Sequence, residues 1–329
     1  MAPTNELIEK VKSLLWAKGE KSLETAKQLI LQEKMEFEPL QEALRYFMEE
    51  FWEDVLHPAL LSIACEAVGG NPDATAQIGA AVVLLAGGAD VHDDIIDQST
   101  IKDTKPTVLG KFGKDIAVLV GDALLFKGLY VLHEACEPLP QNQKKPILQL
   151  VKQAFFNIGN AESKETSLRG SFDFSPEEYL DIIRMKVSVS GAMTKIGAIL
   201  GDGTQEEVES AGHFGETLGV LLTIRDEFID VFEIDELKNR FKNECLPLPI
   251  LAALRDADKK DKIISLLRTR EITEKEVNQI LDLVMSSKGA QELKKRMRLL
   301  VKEESQRLNS NKRFKEISDL LLRSSLEDL

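Results

Sequence analysis

Positive charge is in short supply. Lysine and arginine number 42 against 55 aspartates and glutamates, a formal net charge of −13. That balance speaks against nucleic acid as a partner, because phosphate backbones are held by clustered cations. Aromatic residues make up only 6% of the 329-residue chain, and its 20 glycines and 11 prolines are few. Leucine, alanine, glutamate and lysine are abundant instead, a mix that favours helices. No run alternates with period two for long enough to claim a strand. The three cysteines, Cys65, Cys136 and Cys245, are scattered, odd in number and share no ligand spacing. They read as core or surface thiols in a reducing cytoplasm. The N-terminal Met-Ala-Pro-Thr-Asn-Glu lacks the basic-then-apolar pattern of a secretory signal. The longest apolar run, residues 78–89, is too short to cross a bilayer and ends at Asp90. The expectation is a soluble, cytoplasmic chain with no transmembrane segment.

Helical periodicity and its punctuation cover the chain. Residues 4–51 read as two or three amphipathic helices, broken near Lys18-Gly19 and Glu38-Pro39. Pro58 suits the N1 position of the next helix, and Gly69-Gly70-Asn71-Pro72 ends it. Asp73 is the expected cap of a long central helix, and residues 98–105 are the expected polar loop after it. Further helices are expected over about 115–136 and 144–168. Ser175-Pro176-Glu177-Glu178 is a helix start, and that helix should run to Leu200. Thr204 with Glu207 forms a capping box for the following helix. Residues 235–245 read as a charged loop, with five shorter helices beyond Pro247. No linker, repeat or low-complexity segment interrupts the pattern. The expected architecture is all-α, one domain over residues 1–329, a single large helical bundle around a central cavity.

Two acidic rows stand out. Asp90, Asp93, Asp94 and Asp97 are spaced i, i+3, i+4 and i+7, which places them on one helix face. Like charges so stacked repel, so the row calls for a cation upon it. Oxygen ligands without cysteine suit a hard ion such as Mg²⁺. A solvated acidic face is the bland alternative. Against it, the preceding residues 78–89 are almost wholly apolar or glycine. The pattern then returns: Asp226-Glu227-Phe228-Ile229-Asp230, with Glu233 a turn on, follows another apolar helical run. Two such helices can face each other and hold several Mg²⁺ ions between them.

This pair of rows resembles the aspartate-rich motifs of the trans-prenyl diphosphate synthases, of the farnesyl and geranylgeranyl type. The resemblance runs from about Glu42 to the last helix and includes residues 112–122, Lys186 in a small-residue helix, and Leu246-Pro247-Leu248-Pro249. It implies an isoprenoid synthase-like fold and a prenyltransferase of isoprenoid biosynthesis. In that family an allylic prenyl diphosphate ionises, its carbocation alkylates isopentenyl diphosphate, and a proton leaves. The resemblance makes Asp93, Asp94, Asp97, Asp226 and Asp230 the Mg²⁺ ligands, with Glu227 replacing an aspartate. Lys186 falls on the lysine that meets the leaving group, and Asp93, Asp94, Lys186 and Asp226 are the implied catalytic set. Mg²⁺ also reconciles an acidic chain with an anionic substrate, since carboxylates hold the metal and the metal holds the phosphate. Ala89 and Gly88, where short-chain members carry aromatic plugs, imply a tunnel that accepts chains longer than farnesyl.

The site for isopentenyl diphosphate departs from the family pattern. Its Gly-Lys-Arg-x-Arg-Pro segment aligns with Glu53-Asp54-Val55-Leu56-His57-Pro58, and its Arg-Arg-Gly segment with Lys102-Asp103-Thr104. His57, Lys102 and Lys105 are the cations left to bind substrate there. The family dimerises through helices matching 115–136 and 144–168, so a homodimer, or a heterodimer with a paralogous prenyl synthase, is expected. One alternative is a non-catalytic prenyl-diphosphate-binding subunit that shapes a catalytic paralogue. Another is an HD-type metal phosphohydrolase, suggested by His57 and His92-Asp93, which leaves residues 226–230 unexplained.

Overall fold

The computed structural model describes residues 6–102, 104–269, 273–308 and 312–327. Its helices are α1 (Glu6–Leu31), α2 (Glu38–Tyr46), α3 (Leu56–Ala67), α4 (Ala76–Asp97), α5 (Val108–Phe112), α6 (Lys114–Cys136), α7 (Gln141–Leu168) and α8 (Pro176–Lys186). Then come α9 (Ser188–Leu200), α10 (Gln205–Asp230), α11 (Ile234–Asn243), α12 (Leu248–Ala253), α13 (Ala257–Leu267), α14 (Glu274–Met285), α15 (Lys288–Arg307) and α16 (Lys312–Ser324). The fold is all-α, as the composition implies. Among the described residues the only strands are β1 (Ile101–Lys102) and β2 (Lys105–Pro106), a two-residue antiparallel hairpin.

The chain divides into two compact units. The first comprises Met1–Gln153 and Val189–Gly215, the second Ala154–Ser188 and Glu216–Leu329.

In the first unit α4 packs mainly on α6, α1 and α3. Its residues Ile78, Ala80, Ala81, Val82, Val83 and Leu84 are almost fully buried. Each large apolar side chain so buried stabilises the fold by about 1.5–3 kcal/mol. By length and composition α4 and α6 could each cross a membrane, although the sequence shows no single unbroken apolar run of that length. Burial in the unit explains most of the apolar character of α4. Helix α6 instead leaves Val118, Leu119, Phe126, Leu129 and Tyr130 exposed along one face.

Several local expectations change. Helix α1 runs unbroken through Gly19, because glycine there serves a close approach: a Cβ would lie 2.4 Å from the Val55 carbonyl oxygen. Asp73 does not cap α4. It sits in a 3-10 turn whose cap is the Asn71 side chain, and it pairs with Lys21 at 2.6 Å. Pro58 lies in the first turn of α3, two residues after its start. The loop after α4 is the hairpin, which folds Lys102 back over the helix.

In the second unit α12 packs against α15, α14 and α8, with Leu248, Ile250 and Leu251 buried. The Ser175 start is confirmed as a full capping box with Glu178. The helix it begins stops at Lys186, and α9 starts anew at Ser188. The expected charged loop at 235–245 is largely helix α11, with Leu237 and Arg240 buried. The five helices beyond Pro247 are all present.

Candidate active site

The first acidic row occupies the last two turns of α4. Asp94 is its most buried member, with a side chain 1% exposed. The hairpin delivers Lys102, whose Nζ lies 2.7 Å from Asp94 Oδ1 and 3.0 Å from Asp90 Oδ1. Burial works against the Lys102 ammonium, but Asp90 and Asp94 outweigh it and hold its pKa well above the ordinary lysine value. Burial pushes the Asp94 carboxyl up to about 7 and raises Asp90 as well. Asp93 and Asp97 bring a carboxylate oxygen each within 4.8 Å of the other.

This row fits a divalent cation on its own evidence. Among the described residues, Asp90 Oδ2, Asp93 Oδ1 and Asp94 Oδ2 are buried without a hydrogen-bond donor. Orphaned buried carboxylate oxygens are costly unless something cationic meets them. Several at helical spacing form a hard, oxygen-only ligand set.

Asp54 and His57 form a closed pair at the start of α3. Asp54 Oδ1 accepts from the backbone N–H of Leu56 at 3.0 Å and of His57 at 3.3 Å, and Oδ2 lies 2.8 Å from His57 Nδ1. Burial opposes the charge on each, yet each partner outweighs it, so Asp54 is lowered and His57 raised. The Asp54 charge adds a little to the rise of the Asp90 carboxyl. Lys105 points elsewhere and donates to the Glu50 carbonyl at 2.7 Å. Asp103 lies outside the described residues. His92 packs over Gly121, where a Cβ would come within 2.5 Å, and its Nε2 lies 3.4 Å from Asp122 Oδ1 on α6. His57 and His92 thus serve separate carboxylates, and the HD-type grouping does not form.

The second row ends α10. Its three positions do different things. Asp226 is 64% exposed and lies 3.8 Å from the Arg225 guanidinium. Glu227 turns into the core, 5% exposed. There it accepts from Arg240 Nη2 at 2.8 Å, the Tyr179 hydroxyl at 3.1 Å and the Leu248 N–H at 2.7 Å. Asp230 Oδ2 accepts from Arg240 Nη1 at 2.9 Å, and burial still pushes its carboxyl up to about 7. Lys186, the last residue of α8, pairs with Glu162 at 3.0 Å and with Glu165. The Tyr179 hydroxyl oxygen also lies 3.1 Å from Glu165 Oε1, which shares the hydroxyl's single proton with Glu227, and it accepts from Arg240 Nη2, so one polar chain joins Lys186 to Asp230.

Arg240, Tyr179, Glu162, Glu165 and the pairing of Asp90 with Lys102 were not picked out from the sequence. Arg240 lay in a stretch read as loop. The tyrosine and the two glutamates match no spacing with their partners, and only the fold brings them together.

The all-α fold thus carries two carboxylate rows at helix ends, one on α4 and one on α10. The family model described as polyprenyl synthetase matches residues 40–284. The chain belongs to that family, whose members are prenyltransferases. It is 27% identical over 236 residues to a geranylgeranyl diphosphate synthase of Sulfolobus acidocaldarius, covering 71% of this chain and 68% of the relative. A chloroplastic geranylgeranyl pyrophosphate synthase of Arabidopsis thaliana is 30% identical over 250 residues, covering 72% and 67%. A crystal structure of geranylgeranyl pyrophosphate synthetase from Pyrococcus horikoshii superposes with a TM-score of 0.85 at 21% identity, covering 98% of this chain and 100% of that one.

Proposed function

We propose that this chain is a Mg²⁺-dependent trans-prenyltransferase that binds and ionises an allylic prenyl diphosphate. The observation that carries the reading is the set of orphaned buried oxygens on Asp90, Asp93 and Asp94, in a chain of this family. Asp93, Asp94 and Asp97 would hold metal from α4, and Asp226 and Asp230 from α10. Bound Mg²⁺ supplies charge neutralisation for the departing diphosphate. Lys186 adds a cation for the same leaving group, once it exchanges Glu162 and Glu165 for phosphate oxygens. Glu227 serves instead as a fixed anchor, holding Arg240 and the start of α12. The apolar helices keep water from the carbocation. Residues 1–329 act as one domain in this reading.

In the family reaction the acceptor is isopentenyl diphosphate. The isolated chain has little to hold it with, since His57 and Lys102 already face carboxylates. Condensation with isopentenyl diphosphate is therefore assigned to a mixed dimer with a paralogous prenyl synthase. The exposed apolar face of α6, with Phe126 77% exposed, supports such docking. That same neutralised pairing favours a second reading, a prenyl-diphosphate-binding subunit that is itself silent. Diphosphate release from farnesyl diphosphate by the purified chain with Mg²⁺ decides between them. Release that vanishes with chelator supports the enzyme, and binding without release supports the silent subunit.

A further inference from the structure

The Asp54–His57 pair has the form of a proton-transfer dyad. Asp54 is held by two backbone N–H groups and fixes His57 through Nδ1, with side chains 10% and 22% exposed. Among the described residues His57 Nε2 has no hydrogen-bond partner, and it is not among the buried orphan atoms. An imidazole oriented through Nδ1 by a carboxylate, with Nε2 open, is the arrangement by which a histidine takes a proton from a nucleophile.

The charges around the dyad say what kind of acceptor it suits. With His57 neutral, as a base requires, the carboxylates of Asp54 and Asp90 face a single cation, Lys102. Lys18, on the helix packed against Val55, is spent on Glu66, and Lys105 on a backbone carbonyl. An incoming diphosphate would meet a surrounding that is net negative and lacks arginine's bidentate fork. An uncharged acceptor meets no such penalty. It has a different need: on attacking a carbocation through oxygen or nitrogen it becomes positively charged and must lose its proton.

We propose that the Asp54–His57 dyad is the general base of an acceptor subsite for an uncharged nucleophile bearing an O–H or N–H proton. The inference rests on the ionisation reading above. In the step, the C1–O bond of the allylic diphosphate breaks and its electron pair leaves with diphosphate. The acceptor's lone pair forms the new bond to C1. Its proton passes to His57 Nε2 and then to solvent. Asp54 is a positioning residue.

The test uses the full chain with Mg²⁺ and farnesyl diphosphate, and phenol, water or isopentenyl diphosphate as acceptor. Diphosphate release and products are followed together. The expected result is release without isopentenyl diphosphate, yielding farnesyl phenyl ether or farnesol, at ten or more times the rate of chain elongation. His57→Gln should cut that release about 100-fold while Mg²⁺-dependent binding of a farnesyl thiodiphosphate stays within twofold. Asp54→Asn should move the ionisation seen in the pH–rate profile to lower pH, which loss of packing alone would not do. His57→Arg, which exchanges base for fixed cation, should move product towards elongation. Ordinary elongation with no release in its absence overturns this proposal and leaves the ionisation reading standing. Unchanged release in His57→Gln also overturns it. No release with any acceptor overturns both.

Discussion

The Lys102 ammonium sits 2.7 Å from Asp94 Oδ1, so the first acidic row carries a tethered cation of its own. Metal-free carboxylates at this spacing would otherwise repel one another in a buried setting. Lys102 relieves part of that repulsion from the hairpin, and it is the nearest competitor of any metal. Lys102→Ala should therefore destabilise the metal-free chain by about 2 kcal/mol, less than the full cost of a broken buried pair because Lys102 is a third exposed. Added Mg²⁺ should raise the Tm of the variant more than that of the wild type. Equal Mg²⁺-induced shifts in thermal unfolding would contradict the competition.

Acidity should stabilise the metal-free chain. Burial pushes Asp94 and Asp230 up to about 7, whereas an unfolded aspartate sits near ~3.9. Between those values the folded chain keeps protons that the unfolded chain has released, so stability falls as pH rises through that window. His57, raised by Asp54, contributes stability of the same sign, present at low pH and lost as pH rises through its folded value. Glu165 is lowered, so its opposing contribution is lost only on acidification below the usual glutamate range. The expected outcome is a higher Tm at about pH 5.5 than at about pH 8 without metal, with Mg²⁺ recovering the difference at the higher pH. A Tm that rises with pH in the presence of chelator would contradict it.

The glycine before Ala89 has a structural duty that the tunnel reading did not foresee. A Cβ on Gly88 would lie 2.8 Å from Leu125 Cγ and 2.9 Å from the Gly121 carbonyl oxygen. Gly88→Ala should cost about 1–3 kcal/mol by overpacking α4 against α6, measured by chemical unfolding. Ala89 is only half-buried. Ala89→Phe should leave stability nearly intact and shorten the longest prenyl diphosphate that binds. If Ala89→Phe leaves ligand length unchanged, the tunnel does not pass that position.

The exposed face of α6 should be the dimer surface. Phe126→Glu places a charge at its most exposed aromatic. Sedimentation velocity should show the wild type as a dimer at micromolar concentration and the variant as a monomer. An identical distribution for both would remove α6 from the interface.

Much of the fold could be read along the chain because helix signals are local. The Ser175 and Thr204 capping boxes, the apolar run before Asp90 and the row at i, i+3, i+4 and i+7 each depend on residues within two turns. Gly19 misled for the same reason. Locally it looks like a break, and only its distant neighbour Val55 shows why it is glycine. The acidic rows were visible as spacing, but their burial was not. Asp226 and Glu227 are adjacent in sequence, yet one is exposed and the other joins Arg240 in the core. Lys102 showed the same gap: it was expected to meet substrate, and the hairpin turns it onto Asp94.

The most direct measurement is calorimetric titration of the full chain with farnesyl thiodiphosphate, which cannot readily ionise, with and without Mg²⁺. The same titration is run on Asp93→Asn. The account predicts tight binding to the wild type only with Mg²⁺, and at least ~100-fold weaker binding to Asp93→Asn, about 2.7 kcal/mol. That variant should keep its thermal stability, because removing one charge relieves repulsion along the row. Equal affinity with and without Mg²⁺, or undiminished binding by Asp93→Asn, would contradict the claim that the first acidic row holds an allylic diphosphate through metal.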